Sequence, residues 1–273
     1  MIGPVVTTGW LEEHHDQVVV ADVRWYLDGR SGLEAFLDGH LPGARFVDLE
    51  RWLAAPADPA LGRHPLPDPE LFAQGMRRLG LDAGDTVVGY DDAGGTVAAR
   101  LVWMLRVTGH DAALLDGGIT AWAGPLERGR GSVVPEGSFT ATPWPPERLV
   151  ELDDLDDLDG VLVDARARER YRGEVEPVDP RAGHIPSARS LPCRDNLATD
   201  GTFLPPGELR RRFESAGVRT GEELVSYCGS GVTACHNLLA AEHAGLGTGR
   251  LFPGSWSQYS HTDRPAATGE QPG

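Results

Sequence analysis

Ten residues concentrate most of the reactive chemistry in this chain. Val225-Ser226-Tyr227-Cys228-Gly229-Ser230-Gly231-Val232-Thr233-Ala234 reads as an apolar strand, a glycine-bearing loop with a thiol at its first position, and the start of a helix predicted over 234–244. Gly229 and Gly231 permit conformations that turn successive N–H groups inward, and the helix adds its positive end. Such a cradle suits an anion. The same donors stabilise a thiolate, so Cys228 is expected to be nucleophilic at neutral pH. The competing expectation is an inert cysteine closing a core strand, the common fate of free cysteines. The two flanking glycines favour the reactive reading.

The other thiols read differently. Cys235, Leu238 and Leu239 fall at i, i+3 and i+4 on the helix, a packing face. Cys193, in Leu191-Pro192-Cys193-Arg194, has no partner recognisable in sequence and is expected to be structural. With no CxxC pair and no His/Cys cluster at ligand spacing, a zinc or iron–sulfur site is not expected, nor any other metal or cofactor. Three cysteines are too few for a disulfide framework and fit a reducing compartment.

Two halves of the chain must position this chemistry, for landmarks recur in the same order at an offset of roughly 140 residues. Asp22-Val23-Arg24 is answered by Asp164-Ala165-Arg166, and Gly39-His40-Leu41-Pro42 by Gly183-His184-Ile185-Pro186. Val87-Val88-Gly89-Tyr90 matches Leu224-Val225-Ser226-Tyr227, and Leu115-Asp116-Gly117-Gly118 matches Leu251-Phe252-Pro253-Gly254. Short apolar runs such as Val18–Ala21 and Val161–Val163 alternate with helical stretches such as Glu208–Ala216, the pattern of a parallel sheet flanked by helices. The expected fold is α/β in two like domains, over 1–125 and 147–273, joined by a Pro- and Gly-bearing linker over 126–146. The run Glu151–Leu158 repeats its leucines every three residues, so its acids are expected on a solvated helix face.

Charge excludes several classes of function. Forty-one acidic against 25 basic side chains leave a net charge of −16, which repels phosphate backbones and anionic lipid. No basic patch offsets it, and no apolar run approaches the ~20 residues of a spanning helix, so neither nucleic acid nor membrane is an expected partner. The first residues lack a basic start followed by an apolar stretch, and the expected location is cytoplasmic.

Taken together, Asp22-Val23-Arg24-Trp25, both Gly-His-X-Pro segments, Tyr90 with Asp91, the Cys228 loop and Gly254-Ser255-Trp256 resemble the tandem-domain rhodanese-type sulfurtransferases over nearly the whole chain. The resemblance implies two rhodanese-like domains, of which only the C-terminal one is catalytic; Asp91 stands where the second half has Cys228. It implies that Cys228 takes a sulfane sulfur from a small anionic donor as a persulfide and passes it to a thiol, a thioredoxin-like protein or cyanide, without cofactor. Gly229, Gly231, Val232 and Thr233 would form the donor's cradle. The uncharged Cys-Gly-Ser-Gly-Val-Thr loop is similar to that of the 3-mercaptopyruvate type, with thiosulfate as the alternative donor. In that type Ser230, His64 and an acid, Asp48 or Glu50, would move protons. Arg170 matches the arginine that binds the donor's anionic group. A second family arginine falls by count on Asp179, leaving Arg181 as a shifted substitute. Asp22, Asp164 and the Gly-His pairs are expected to be structural, Arg24 and Trp25 to face the active-site cleft by analogy, and Trp256 to shape the pocket or pack. The same strand–loop–helix serves cysteine phosphatases, but those need an arginine at the loop's far end. The sixth residue after Cys228 is Ala234. A sulfur-carrying module without catalysis is the remaining alternative.

Overall fold

The computed structural model describes residues 1–131 and 133–273; Ser132, within the stretch read as linker, lies outside the described residues. The chain forms two compact units. Unit 1 comprises residues 1–55, 66–144 and 198–203, and unit 2 comprises 56–65, 145–197 and 204–273. Ten residues from the first half of the sequence, 56–65, therefore fold as part of unit 2, which sequence periodicity does not reveal.

In unit 1, β1 (Val5–Val6), β2 (Val18–Asp22), β3 (Arg45–Phe46), β4 (Thr86–Tyr90) and β5 (Ala112–Leu115) form one parallel sheet in the order β1-β5-β4-β2-β3. Its central strands are near-continuous apolar runs because helices cover both faces of such a sheet. Helices α1 (Thr8–His14), α2 (Gly32–Asp38) and α3 (Pro69–Arg78) begin where Thr7, Ser31 and Asp68 accept a first-turn N–H. Helix α4 (Ala99–Val107) follows β4 and is buried along its first seven residues. The stretch read as linker holds to unit 1 through main-chain bonds, Gly129 N to Leu37 O at 2.8 Å and Phe139 N to Leu81 O at 3.0 Å.

Unit 2 repeats the plan with β6 (Val161–Asp164), β7 (Arg189–Ser190), β8 (Leu224–Tyr227) and β9 (Arg250–Leu251), parallel in the order β7-β6-β8-β9. Its helices are α5 (Arg168–Tyr171), α6 (Pro206–Ser215), α7 (Ala234–His243) and α8 (Ser255–Tyr259). The acidic run Glu151–Leu158 forms a single 3₁₀ stretch, Asp153–Asp157, with Leu152, Leu155 and Leu158 packed on the core.

Each unit ties the end of its first long strand, β2 or β6, with the same buried pair. Asp22 accepts from Arg24 N (3.1 Å) and Nη2 (2.6 Å), and Asp164 from Arg166 N (2.9 Å) and Nη2 (2.7 Å). Beside them, Tyr90 Oη accepts from Leu41 N and Tyr227 Oη from Ile185 N, fixing the turn that carries each Gly-His-X-Pro segment. The paired histidines are structural, His40 bonding Phe36 O and His184 bonding Tyr171 O, both at 2.8 Å. Arg24 is not available to a cleft: its guanidinium is held by Asp22 and by Gly39 O at 2.7 Å.

Removing one member of such a pair leaves an unpaired buried charge, which costs about 3–5 kcal/mol. Asp22→Ala is therefore expected to lower the thermal midpoint by roughly 6–15 °C in calorimetry. A change under about 2 °C would show that Arg24 finds water instead.

Candidate active site

Strand β8, interior to unit 2's sheet, delivers Cys228 at its C-terminal end, 2% exposed, with the loop 229–233 leading into α7. The nucleophile's own backbone is immobilised, for Cys228 N donates to Ser255 Oγ (3.1 Å), and Cys228 O and Gly229 O accept from Trp256 N (3.0 Å) and Ser257 N (2.8 Å). Ser255 sits at φ 52, a left-handed conformation uncommon outside glycine, and its hydroxyl also donates to Phe252 O. Gly231 has φ 76, and a Cβ there would lie 2.5 Å from Pro253 O, so no larger residue fits.

Unit 1 shows what this loop binds. In the matching loop after β4, Asp91 is buried and accepts four main-chain N–H groups: Ala93 and Gly95 on Oδ1, both at 2.7 Å, and Val97 and Ala98 on Oδ2, at 2.7 and 2.9 Å. Burial pushes its carboxyl upward while those four donors oppose the rise. The loop is thus an anion receptor occupied by its own side chain. In unit 2 the first position carries a thiol; at the positions matching Ala93 and Gly95, Ser230 N and Val232 N donate to no described residue, while Cys235 N, matching Ala98, donates to Val232 O at 3.2 Å. By the match to Asp91, the N–H groups of Ser230 and Val232 are the donors available to a negative charge on the Cys228 sulfur.

Ser230 and His64 come together: Ser230 Oγ lies 2.8 Å from His64 Nδ1, both side chains buried. His64 arrives on segment 56–65, whose tight turn closes with Gly62 N bonding Asp58 O at 2.7 Å. Arg63 N donates to Ser257 Oγ (2.9 Å), and Gln258 Nε2 donates to Ala60 O (2.6 Å), so α8 holds both the cysteine and the histidine segment. The two acids considered for His64 have local partners within unit 1. Asp48 caps the turn Leu49–Leu53 by accepting from Arg51 N, and Glu50 accepts from Trp25 Nε1 at 3.1 Å.

Arg170 reaches the loop. Its Nη1 lies 3.4 Å from where a Cβ on Gly229 would be, and its other edge grips Glu176, Nη2 to Oε1 at 2.6 Å. Arg181 is placed elsewhere: its three nitrogens donate to the carbonyls of Ser260, Arg264 and Tyr259, each at 2.9 Å, so it fastens the turn after α8. Asp179 binds both Arg63 Nη1 (2.6 Å) and Arg170 Nη2 (3.2 Å). Trp256 packs fully buried under Arg166, its indole N–H donating to Arg181 O at 2.9 Å. Arg63 is the residue at this loop that sequence reasoning passed over, because a lone arginine in a polar segment carries no periodic signal.

Comparison with known proteins identifies the family. The family model for the rhodanese-like domain matches residues 7–125 and again 146–262. The chain belongs to the rhodanese family. A Pseudomonas aeruginosa member named "Probable 3-mercaptopyruvate sulfurtransferase" is 45% identical over 93% of this chain and 93% of its own. A Mycobacterium tuberculosis member carries a thiosulfate sulfurtransferase name, at 42% identity over 93% of this chain and 92% of its own. Among solved structures, the 3-mercaptopyruvate sulfurtransferase from Leishmania major superposes with a TM-score of 0.86 at 31% identity, covering 96% of this chain and 75% of that one. Among the described residues, no helix is long and apolar enough to cross a membrane, and no three His, Cys, Asp or Glu side chains are grouped to hold a metal ion.

The two remaining thiols of this rhodanese are protected. Cys193 is buried and its thiol is pushed up to about 12, mainly by burial and then by the neighbouring Cys228. Cys235 donates to Gly231 O at 3.3 Å. A thiol with a raised pKa stays protonated, and so unreactive, at every pH below that value. Brief iodoacetamide treatment at pH 8 is expected to add one label to the native protein and none to Cys228→Ser, read by intact mass; a label persisting in the variant would place the reactive thiol at Cys193 or Cys235.

Proposed function

We propose that this protein is a sulfurtransferase that moves sulfur from 3-mercaptopyruvate through a persulfide on Cys228. The observation that carries the reading is a thiol at the head of a loop whose Ser230 and Val232 N–H groups are unclaimed, where the matching groups of unit 1, Ala93 and Gly95, donate to the Asp91 carboxylate. The names of the relatives supply the donor.

The Cys228 thiolate attacks the donor's sulfur, the new S–S bond forms, and the C–S bond breaks with its electron pair going to carbon as the enolate of pyruvate. The proton on the donor's thiol must leave sulfur, and one must reach the enolate carbon. Ser230 and His64, in contact beside the cysteine, are suited to carry it. The products are pyruvate and a Cys228 persulfide whose terminal sulfur bears the charge that the N–H ring stabilises. Arg170 holds the donor's carboxylate. A thiol, a thioredoxin-like protein or cyanide then takes the outer sulfur and returns the thiolate. Three free cysteines support a cytoplasmic setting.

Thiosulfate is the second reading, favoured by Arg63 reaching Gly229 beside Arg170 and by the name of the Mycobacterium tuberculosis relative. There the thiolate attacks the outer sulfur and sulfite departs with the electron pair, so no proton moves. Intact-mass spectrometry after incubation with each donor tests both: wild type is expected to gain one sulfur faster from 3-mercaptopyruvate, and Cys228→Ser none. Ser230→Ala should slow loading from 3-mercaptopyruvate by roughly 10²–10⁴-fold while leaving thiosulfate loading within a few-fold. Faster loading from thiosulfate in the wild type would overturn the donor assignment.

A further inference from the structure

Unit 1 holds a cavity of about 330 Å³ that the sulfur chemistry leaves unused. Its lining is apolar where α2 and β3 meet, at Phe36, Leu37 and Phe46, and Leu33, 44% exposed, stands at its mouth. The opposite wall comes from the stretch read as linker. Gly129 N is bonded to Leu37 O at 2.8 Å and Gly137 N to Arg77 O at 2.9 Å, so this stretch is fastened to α2 on one side and to α3 on the other. It runs close over the end of α3, for a Cβ on Gly80 would lie 2.8 Å from Pro135 O and 3.0 Å from Val134 Cγ2. The size falls at the small end of ligand pockets, which span roughly 300–1,000 Å³. With a water-sized group taking about 30 Å³ of liquid, the space suits a molecule of roughly ten heavy atoms.

All the charge lining this cavity is of one sign. Arg45, Arg78 and Arg130 contribute to it, and among the described residues no acidic side chain does. This is unexpected in a chain with 41 acids to 25 bases, where arginines elsewhere find carboxylates. Arg77, one residue before Arg78, pairs with Glu70, and Arg166 with Asp164. Arg78 and Arg130 by contrast make no hydrogen bond or ion pair to a described residue. Arg45 spends Nη1 on the carbonyl of Leu79 and has no carboxylate in contact. Burial pushes its guanidinium down, opposed only by the charge of Asp85, so a bound anion would relieve it. Three guanidiniums at one side of an apolar cavity match a ligand with an anionic head and an apolar body.

We propose that this cavity is a binding site for a small amphipathic carboxylate, its head held by Arg45, Arg78 and Arg130 and its apolar body laid against Phe36, Leu37 and Phe46. Isothermal titration calorimetry on the full chain tests this with octanoate, with 1-octanol as the same body without the charge, and with acetate as the charge without the body. Octanoate is expected to bind saturably, 1-octanol at least tenfold more weakly, and acetate not at all over the same concentrations. Replacing Arg78 and Arg130, both exposed, together by glutamine should weaken octanoate about 10–100-fold, the worth of one or two charge-assisted bonds. The thermal midpoint of the free protein should hold, and sulfur loading of Cys228 should stay within a few-fold. Leu33→Glu, which keeps all three arginines but sets a carboxylate at the mouth, should weaken octanoate to a similar degree. Absence of saturable binding by octanoate overturns the assignment, and so does equal affinity for octanoate and 1-octanol, which would make the cavity merely apolar. Undiminished octanoate affinity in both variants overturns it as well, since the ligand would then sit elsewhere.

Discussion

A backbone loop that points four N–H groups into one small volume cannot be left empty of charge. Buried donors without acceptors cost about 1–3 kcal/mol each, so the loop following the central strand demands an anion. Unit 1 meets the demand once and permanently with the Asp91 carboxylate. Unit 2 offers a cysteine, whose thiolate and persulfide carry their charge only at certain stages of turnover. The matching loop is structural in one copy and carries the thiol in the other. The glycine at 231, the left-handed Ser255 and the three main-chain bonds around Cys228 follow from keeping that receptor open and rigid.

Beneath each loop lies a buried Asp–Arg pair that closes the neighbouring strand. Such pairs recover little net energy after desolvation, but they fix geometry. The carboxylate binds its arginine through side chain and main chain at once, which sets the direction in which the chain leaves the strand. In unit 2 the exit leads within a few residues to α5 and Arg170, so the direction of the turn at Asp164 fixes where an arginine meets Gly229.

Much of this was legible in the residues. Runs such as Val18–Ala21 and Val161–Val163 announce strands because β-branched side chains suit a sheet covered on both faces. Cys228 between a strand and a glycine-bearing loop announced itself, and the recurrence of Asp-X-Arg and Gly-His-X-Pro exposed the repeat. Ser230 with His64 was reachable through family resemblance, and their 2.8 Å contact is a fact of the fold. The misplaced element was the anion clamp. Counting along 174–181 made Arg181 a substitute, whereas three carbonyls after α8 claim it. Asp179, passed over as a gap in the pattern, organises two arginines. Arg63 was invisible for a physical reason: its place depends on a turn at Asp58–Gly62 and on a bond to Ser257, 194 residues away. No local periodicity encodes a contact of that span.

The ten residues 56–65 also bear on how such a protein diversifies. Because they belong to the compact unit that holds Cys228, the two copies of an ancient duplication no longer own their parts separately. The unit that carries the thiol also carries a histidine and an arginine encoded in the first half of the sequence. Neither half can be lost, replaced by a foreign domain or transferred alone without taking apart the chemistry. A cut between the two halves of the sequence would leave the compact unit of Cys228 short of ten of its own residues.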